Sequence, residues 1–122
     1  MKRVFNRVIS AAVNGIESRC VLVEADVSDG LPTFSMVGYL ASEVREAQER
    51  VRTALRNSGY ALPPKRNTVN LAPGDIRKSG TRFDLPIAAA VMASYGYLPQ
   101  KSLDGIFFAG ELGLDGSVQG IH

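Results

Sequence analysis

The sequence has one cysteine and one histidine in 122 residues. A lone Cys20 excludes an internal disulfide. One Cys and one His cannot fill the four positions of a zinc site. The histidine is His122, the last residue, where a chain end frays, so a Ser-His-Asp triad is not expected. The dipeptide Gly-Lys occurs nowhere. A phosphate-binding loop of the form G-x-x-x-x-G-K-[ST] is therefore absent, and with it ATP hydrolysis by this chain alone. No apolar run approaches the length of a membrane span. The start, MKRVFNRVIS, has two early basic residues but no apolar stretch after them, so it does not read as a signal peptide. The expectation is a cytoplasmic protein that carries no metal or cofactor of its own. Cys20, within RCVLVEADV, is expected to be a small buried thiol of a core strand.

What is present is one domain's worth of ordinary globular sequence, 45% hydrophobic and 21% charged. A chain of this size buries roughly 65% of its unfolded surface. The net charge of +2 is unevenly spread. Residues 1–44 are close to neutral, residues 45–82 hold nine basic and three acidic side chains, and residues 83–122 hold one basic and four acidic. The basic middle suits a polyanion, or else a solvated face.

Residues 4–13 read as a strand, Asn14–Gly15 as a two-residue hairpin turn, and residues 16–27 as the returning strand. On that strand Val21, Val23, Ala25 and Val27 share one face, and Cys20, Leu22, Glu24 and Asp26 share the other. A third strand is expected over 33–37, completing an antiparallel meander. Residues 42–59 have helical spacing at Val44, Ala47, Val51, Ala54 and Leu55, with Ser42 placed to cap the start and Gly59 the end. Glu46 and Arg50 stand four apart in the favourable order for an ion pair. LPPKR at 62–66 reads as extended loop and NTVNLA at 67–72 as a strand with Val69 and Leu71 inward. A second helix starts at Asp84 as N-cap, tolerates Pro86 in its first turn, and ends at Gly96; it is apolar nearly all round and so should be deeply buried. GIFFAGEL at 105–112 reads as a strand, followed by a hairpin turning at Asp115–Gly116. The order β-β-β-α-β-α-β-β predicts an α+β fold, a mixed β-sheet with helices on one face.

Between strand 67–72 and the second helix lies PGDIRKSGTRF. It has two glycines six apart, Gly74 and Gly80, with Arg77, Lys78 and Arg82. Asp75, Asp84, Asp115 and Glu111 are the carboxylates that would have to gather around magnesium; turn and helix-end roles account for Asp75, Asp84 and Asp115 instead.

Three blocks, VEADVSDGLPTFSMVG, EAQERVRTALRNSGY and VNLAPGDIRKSGTRFDLPIA, resemble the ComM/YifB proteins, the magnesium-chelatase-like AAA+ ATPases. The resemblance runs from about Val4 to the end. It implies a single Lon-protease-like N-terminal domain over 1–122, in the ribosomal-protein-S5 domain-2-like group, with an AAA+ ATPase module expected after residue 122. ATP and magnesium would belong to that module, and the chain's stop inside a strand-like run at His122 agrees with a piece of something longer. In Lon-type proteases the corresponding loop carries a catalytic serine; here Arg82 stands at that position, and the dyad lysine would fall beyond His122. Ser79 and Thr81 are nearby hydroxyls without the positioned base that an activated nucleophile needs. An inert domain is therefore expected.

Family members are associated with DNA remodelling as branch-migration helicases. The resemblance thus implies a ring, a hexamer of the whole protein, and a sequence-independent DNA contact. Guanidinium groups grip phosphate through paired hydrogen bonds. Arg77, Lys78 and Arg82 are the primary expected contacts, with Lys65 and Arg66 secondary. The rival expectation is a protein-interaction and oligomerisation module whose basic residues bridge subunits without touching nucleic acid.

Overall fold

The protein's computed structural model describes residues 4–14 and 17–119. Its elements are β1 (Val4–Asn14), β2 (Glu17–Ser28), β3 (Thr33–Val37), α1 (Ser42–Arg45), α2 (Ala47–Asn57), β4 (Arg66–Ala72), α3 (Asp84–Ser94), a 3-10 turn at Gln100–Ser102, β5 (Glu111–Leu112) and β6 (Val118–Gln119). The fold is α+β. A four-stranded mixed sheet runs β1-β2-β4-β3, and β5 pairs with β6.

The expected meander is not what forms. β1 and β2 do pair antiparallel, but β4 lies between β2 and β3, antiparallel to β2 and parallel to β3. The turn expected at Asn14–Gly15 falls partly on residues outside those described; Asn14 stands opposite Glu17. The alternation read from β2 holds, with Val21, Val23, Ala25 and Val27 buried. On β4, Val69 and Leu71 join that face. Cys20 is exposed, against expectation. β4 meets β2 only from Leu22 onward, so Cys20 lies on the part of the β1–β2 hairpin that projects past β4.

α3 packs on β1 and β2, and α2 packs on α3. Ile87, Ala88, Ala89, Ala90, Val91 and Ala93 are all buried, as its uniformly apolar sequence requires. Small alanines let such a helix sit close to the sheet below and the helix above. α2 turns Ala47, Val51, Ala54 and Leu55 inward.

The helix expected over 42–59 is interrupted. At Glu46 the ladder shifts to a tighter turn, with Glu49 N–H donating to Glu46 O. Ser42 is the first helical residue rather than a cap; Ala41 holds the extended N-cap position and no side chain caps it. The C-terminal reading holds. Gly59 has φ +90°, Tyr60 N–H donates to Leu55 O, and Gly59 N–H donates to Arg56 O. That is a Schellman motif. α3 ends the same way, with Gly96 at φ +85° and Tyr97 N–H donating to Met92 O. The two residues just past these caps, Tyr60 and Tyr97, meet edge to face at 5.0 Å.

Residues 105–112 do not form one long strand. Phe107 bridges Ile9, Phe108 N–H donates to Ile9 O, and regular pairing begins only at Glu111. The Gln100 side chain donates to Arg7 O and accepts from Arg7 N–H, acting as a strand surrogate on the β1 edge. The hairpin turn at Asp115–Gly116 is as expected, with Asp115 Oδ1 accepting from Ser117 N–H at 2.9 Å.

Candidate functional site: the loop after the central strand

β4 ends at Ala72, and Pro73 follows through a cis peptide bond. The loop then passes under Tyr39–Ala41. Lys78 N–H donates to Tyr39 O and Ala41 N–H donates to Lys78 O, each at 2.9 Å. This clamp sends the Lys78 side chain inward. Lys78 is fully buried, and its Nζ donates to Pro73 O. Burial pushes its ammonium below the ordinary lysine range, opposed by the charge of Asp75. Lys78 was expected to be a primary phosphate contact. An ammonium held in the core on a backbone carbonyl cannot reach a phosphate, so Lys78 leaves that set.

Beyond the clamp, Gly80 N–H donates to Glu43 Oε1 at 2.9 Å. That hydrogen bond, helped by the charge of Arg77, holds the Glu43 carboxyl below its ordinary value. Arg82 O accepts from Gly110 N–H, and Leu85 N–H donates to Gly110 O, fixing the loop's exit. Neither Ser79 nor Thr81 has a hydrogen-bonded base among the described residues.

Asp84 was expected as an N-cap, but Phe83 holds that place and Asp84 is the first residue of α3. Its buried carboxylate meets Arg50 in a two-pronged pair. Arg50 Nε donates to Oδ2 at 2.8 Å and Nη2 donates to Oδ1 at 3.0 Å. Leu112 N–H adds a third donor at 3.2 Å. Arg50 Nη2 also donates to Glu43 O. The pair joins α2, α3 and β5 beneath the loop, and Asp84 raises the Arg50 pKa further. Arg50 is thus turned to Asp84 rather than paired with Glu46 along its helix. A signal was available: Arg50 lies three residues after Ala47 and four before Ala54, both buried, so it points with the core face.

The remaining basic residues fall into two places. Arg77 is exposed and Arg82 half-buried, both on the loop. Arg77 lines a cavity of ≈ 320 Å³ whose other charged residues are Glu17, Arg19 and Asp75, a balanced set. Arg82 has no ion pair among the described residues. Lys65 and Arg66 are at the other end of β4. Seven residues at about 3.3 Å each put roughly 20 Å between its ends. Lys65 Nζ meets Asp29 at 3.0 Å, and Arg66 is exposed. The basic stretch of the sequence therefore does not fold into one patch. Among the described residues no cluster of His, Cys, Asp or Glu is arranged to hold a metal ion. Among the described residues, too, no helix is long and apolar enough to cross a membrane.

The chain's sequence has known relatives. Residues 23–122 match the family model described as subunit ChlI of Mg-chelatase. The competence protein ComM of Haemophilus influenzae is 44% identical over 115 residues, covering 94% of this chain and 23% of that protein. YifB of Escherichia coli is 44% identical over 110 residues, covering 90% and 22%. A Mycobacterium bovis protein is 36% identical over 116 residues, covering 95% and 23%. The chain spans less than a quarter of the length of the curated relatives it matches.

Proposed function

Because the chain belongs to the ComM/YifB family of magnesium-chelatase-like proteins, we propose that it is the non-catalytic, Lon-like N-terminal module of an ATP-driven DNA-remodelling motor in the cytoplasm. Its part is to help organise a ring of subunits and to touch DNA. ATP and magnesium belong to an AAA+ module elsewhere in the longer protein. One relative bears the name competence protein, which supports a DNA-linked process.

The observation that carries the DNA contact is Arg82. Its backbone is pinned to Gly110, while its guanidinium has no ion pair among the described residues. A cation so anchored is ready for a phosphate oxygen. Arg77 extends the contact from the same loop; Lys65 and Arg66 act as secondary contacts from the far end of β4. The test is fluorescence anisotropy with single-stranded and branched DNA at increasing salt. Arg77→Ala and Arg82→Ala should each weaken binding and flatten the log–log salt dependence by roughly one unit or less. Binding untouched by both changes would sink the loop's DNA role.

A second reading, an assembly module without nucleic-acid contact, draws support from the open edge of the sheet. β3 is an end strand with no strand beyond it among the described residues. It is flanked by Leu31, 83% exposed, and Tyr39, 53% exposed. An uncharged edge of this kind invites another chain. Val37→Lys should then lower the sedimentation coefficient of the assembled protein while leaving DNA binding alone; an unchanged coefficient would remove this reading.

A further inference from the structure

A second cleft, of ≈ 290 Å³, opens at the other end of β4 from the loop. Its walls include Phe34 from β3, Gln48 and Arg52 from α2, Lys65 and Asn67 around the start of β4, and Tyr95 at the end of α3. Its charged lining residues are Arg52 and Lys65, and no acid lines it. The cavity at Arg77, by contrast, carries two acids with its two cations. A concave site lined by one sign of charge focuses its field on a counter-ion.

The cleft is also held open. Asn67 Nδ2 donates to Tyr95 OH at 2.9 Å and to Lys65 O at 3.1 Å, and Tyr95 OH donates to Pro63 O at 3.0 Å. Tyr97 OH donates to Ala61 O at 2.5 Å. These bonds fasten residues 61–65 to the end of α3. A site whose walls are already ordered loses less entropy on binding. Arg52 is exposed and has no ion pair among the described residues. Lys65 is paired with Asp29, but that pair is 40% and 60% exposed, and such pairs are worth only about 0–1 kcal/mol. A phosphate can replace the carboxylate at little cost. Phe34 packs against the core and lines the same cleft as the two cations, which gives it a flat apolar surface held by packing.

We propose that this cleft binds a nucleoside phosphate group, free or as one unit of a single strand. The base rests against Phe34, and Arg52 and Lys65 take the phosphate oxygens. The site shares Lys65 with the secondary DNA contact proposed above and gives it a ligand, but it stands without the loop contact, because Arg77 and Arg82 lie at the opposite end of β4.

The test is an amide-resolved NMR titration of the ¹⁵N-labelled chain with thymidine monophosphate and, separately, with an eight-nucleotide oligothymidylate. The expected result is shifts at Phe34, Gln48, Arg52 and Asn67. Shifts with both probes assign a site satisfied by the free nucleotide; shifts with the oligomer alone assign a strand site. Two phosphate contacts on a single strand predict a loss of about sevenfold in affinity between 50 and 200 mM salt, falling to about threefold in Arg52→Gln. Phe34→Leu should weaken binding at least about fivefold. Because Phe34 also packs on the core, Arg52→Gln and Lys65→Gln serve where that variant does not fold. No shift in the cleft amides at millimolar ligand overturns the proposal. Shifts confined to Arg77, Gly80 and Arg82 overturn it too, and leave the loop contact standing.

Discussion

Replacing Asp84 by alanine should be among the costliest single changes at the loop. Asp84 is fully buried and receives three hydrogen bonds, two from Arg50 and one from Leu112 N–H. Asp84→Ala leaves the guanidinium without its counter-charge and a backbone N–H without an acceptor. Removing one partner of a buried pair costs roughly 3–5 kcal/mol. The Arg50 side chain keeps 20% of its exposure, which places the expected cost near the lower end, about 3 kcal/mol. At about 2.1 cal/mol/K per residue, 122 residues unfold with an entropy near 0.26 kcal/mol/K, so the melting temperature should fall by about 12 °C. Asp84→Asn keeps an acceptor but not the charge and should fall about half as far. The double change Arg50→Met with Asp84→Leu removes both charges, leaving chiefly the unpaired Leu112 N–H. It should cost less than Asp84→Ala alone. Scanning calorimetry of the four proteins decides. A fall below about 4 °C for Asp84→Ala, or a double variant as damaged as Asp84→Ala or more, refutes a buried, coupled pair.

Three further outcomes are expected. Glu43 has a depressed pKa, so its hold on Gly80 N–H is present above the ordinary glutamate range and lost as pH falls through the folded value. The Gly80 amide should titrate with a midpoint below that of an ordinary glutamate in an NMR pH series, and Glu43→Gln should abolish the step; a midpoint at or above the ordinary value argues against the bond. The Lys78 pKa is lowered too, but by burial, so the folded state favours the neutral amine and wild-type stability should rise as pH climbs from the folded to the unfolded lysine pKa. Lys78→Met should lack that alkaline rise in thermal melts and should bind DNA within about twofold of wild type; a larger loss would return Lys78 to the binding surface. Tyr95→Phe removes two hydrogen bonds and should cost about 1–2 kcal/mol, with faster amide exchange at Lys65 and Asn67; unchanged exchange would mean the tyrosine does not fasten that segment.

The parts of the fold legible in the sequence are those governed by near neighbours. Alternation on β2, the glycine caps at Gly59 and Gly96, and the Asp115–Gly116 hairpin each depend on residues within a few positions. The insertion of β4 between β2 and β3 depends on partners forty residues away, and nothing local marks it. The same distinction runs through the site. Lys78 in DIRKSG reads as a solvent-facing cation, and only the backbone clamp by Tyr39 and Ala41 turns it inward. Asp84 reads as a cap because the alternative needs Arg50, on another helix. Cys20 reads as buried because its neighbours are, although β4 stops short of it. The basic stretch looked continuous along the chain; β4, running roughly 20 Å, parts it into two ends.

The order β1-β2-β4-β3 has a consequence for the chain as it leaves the ribosome. β2 and β3 are both made before the strand that joins them. At roughly 5–20 residues per second, the stretch from Val37 to Arg66 takes about 1.5–6 s to appear. Throughout that interval one edge of β2 has no strand beside it. An unpaired edge is where nascent chains adhere to one another. β2 carries Glu24 and Asp26 on the face away from the core, and charges at such positions discourage edge-to-edge pairing between chains. When β4 arrives, Asn70 donates to Glu24 at 2.9 Å. The same carboxylate thus marks the edge with a charge before β4 is made and accepts a hydrogen bond from β4 afterwards.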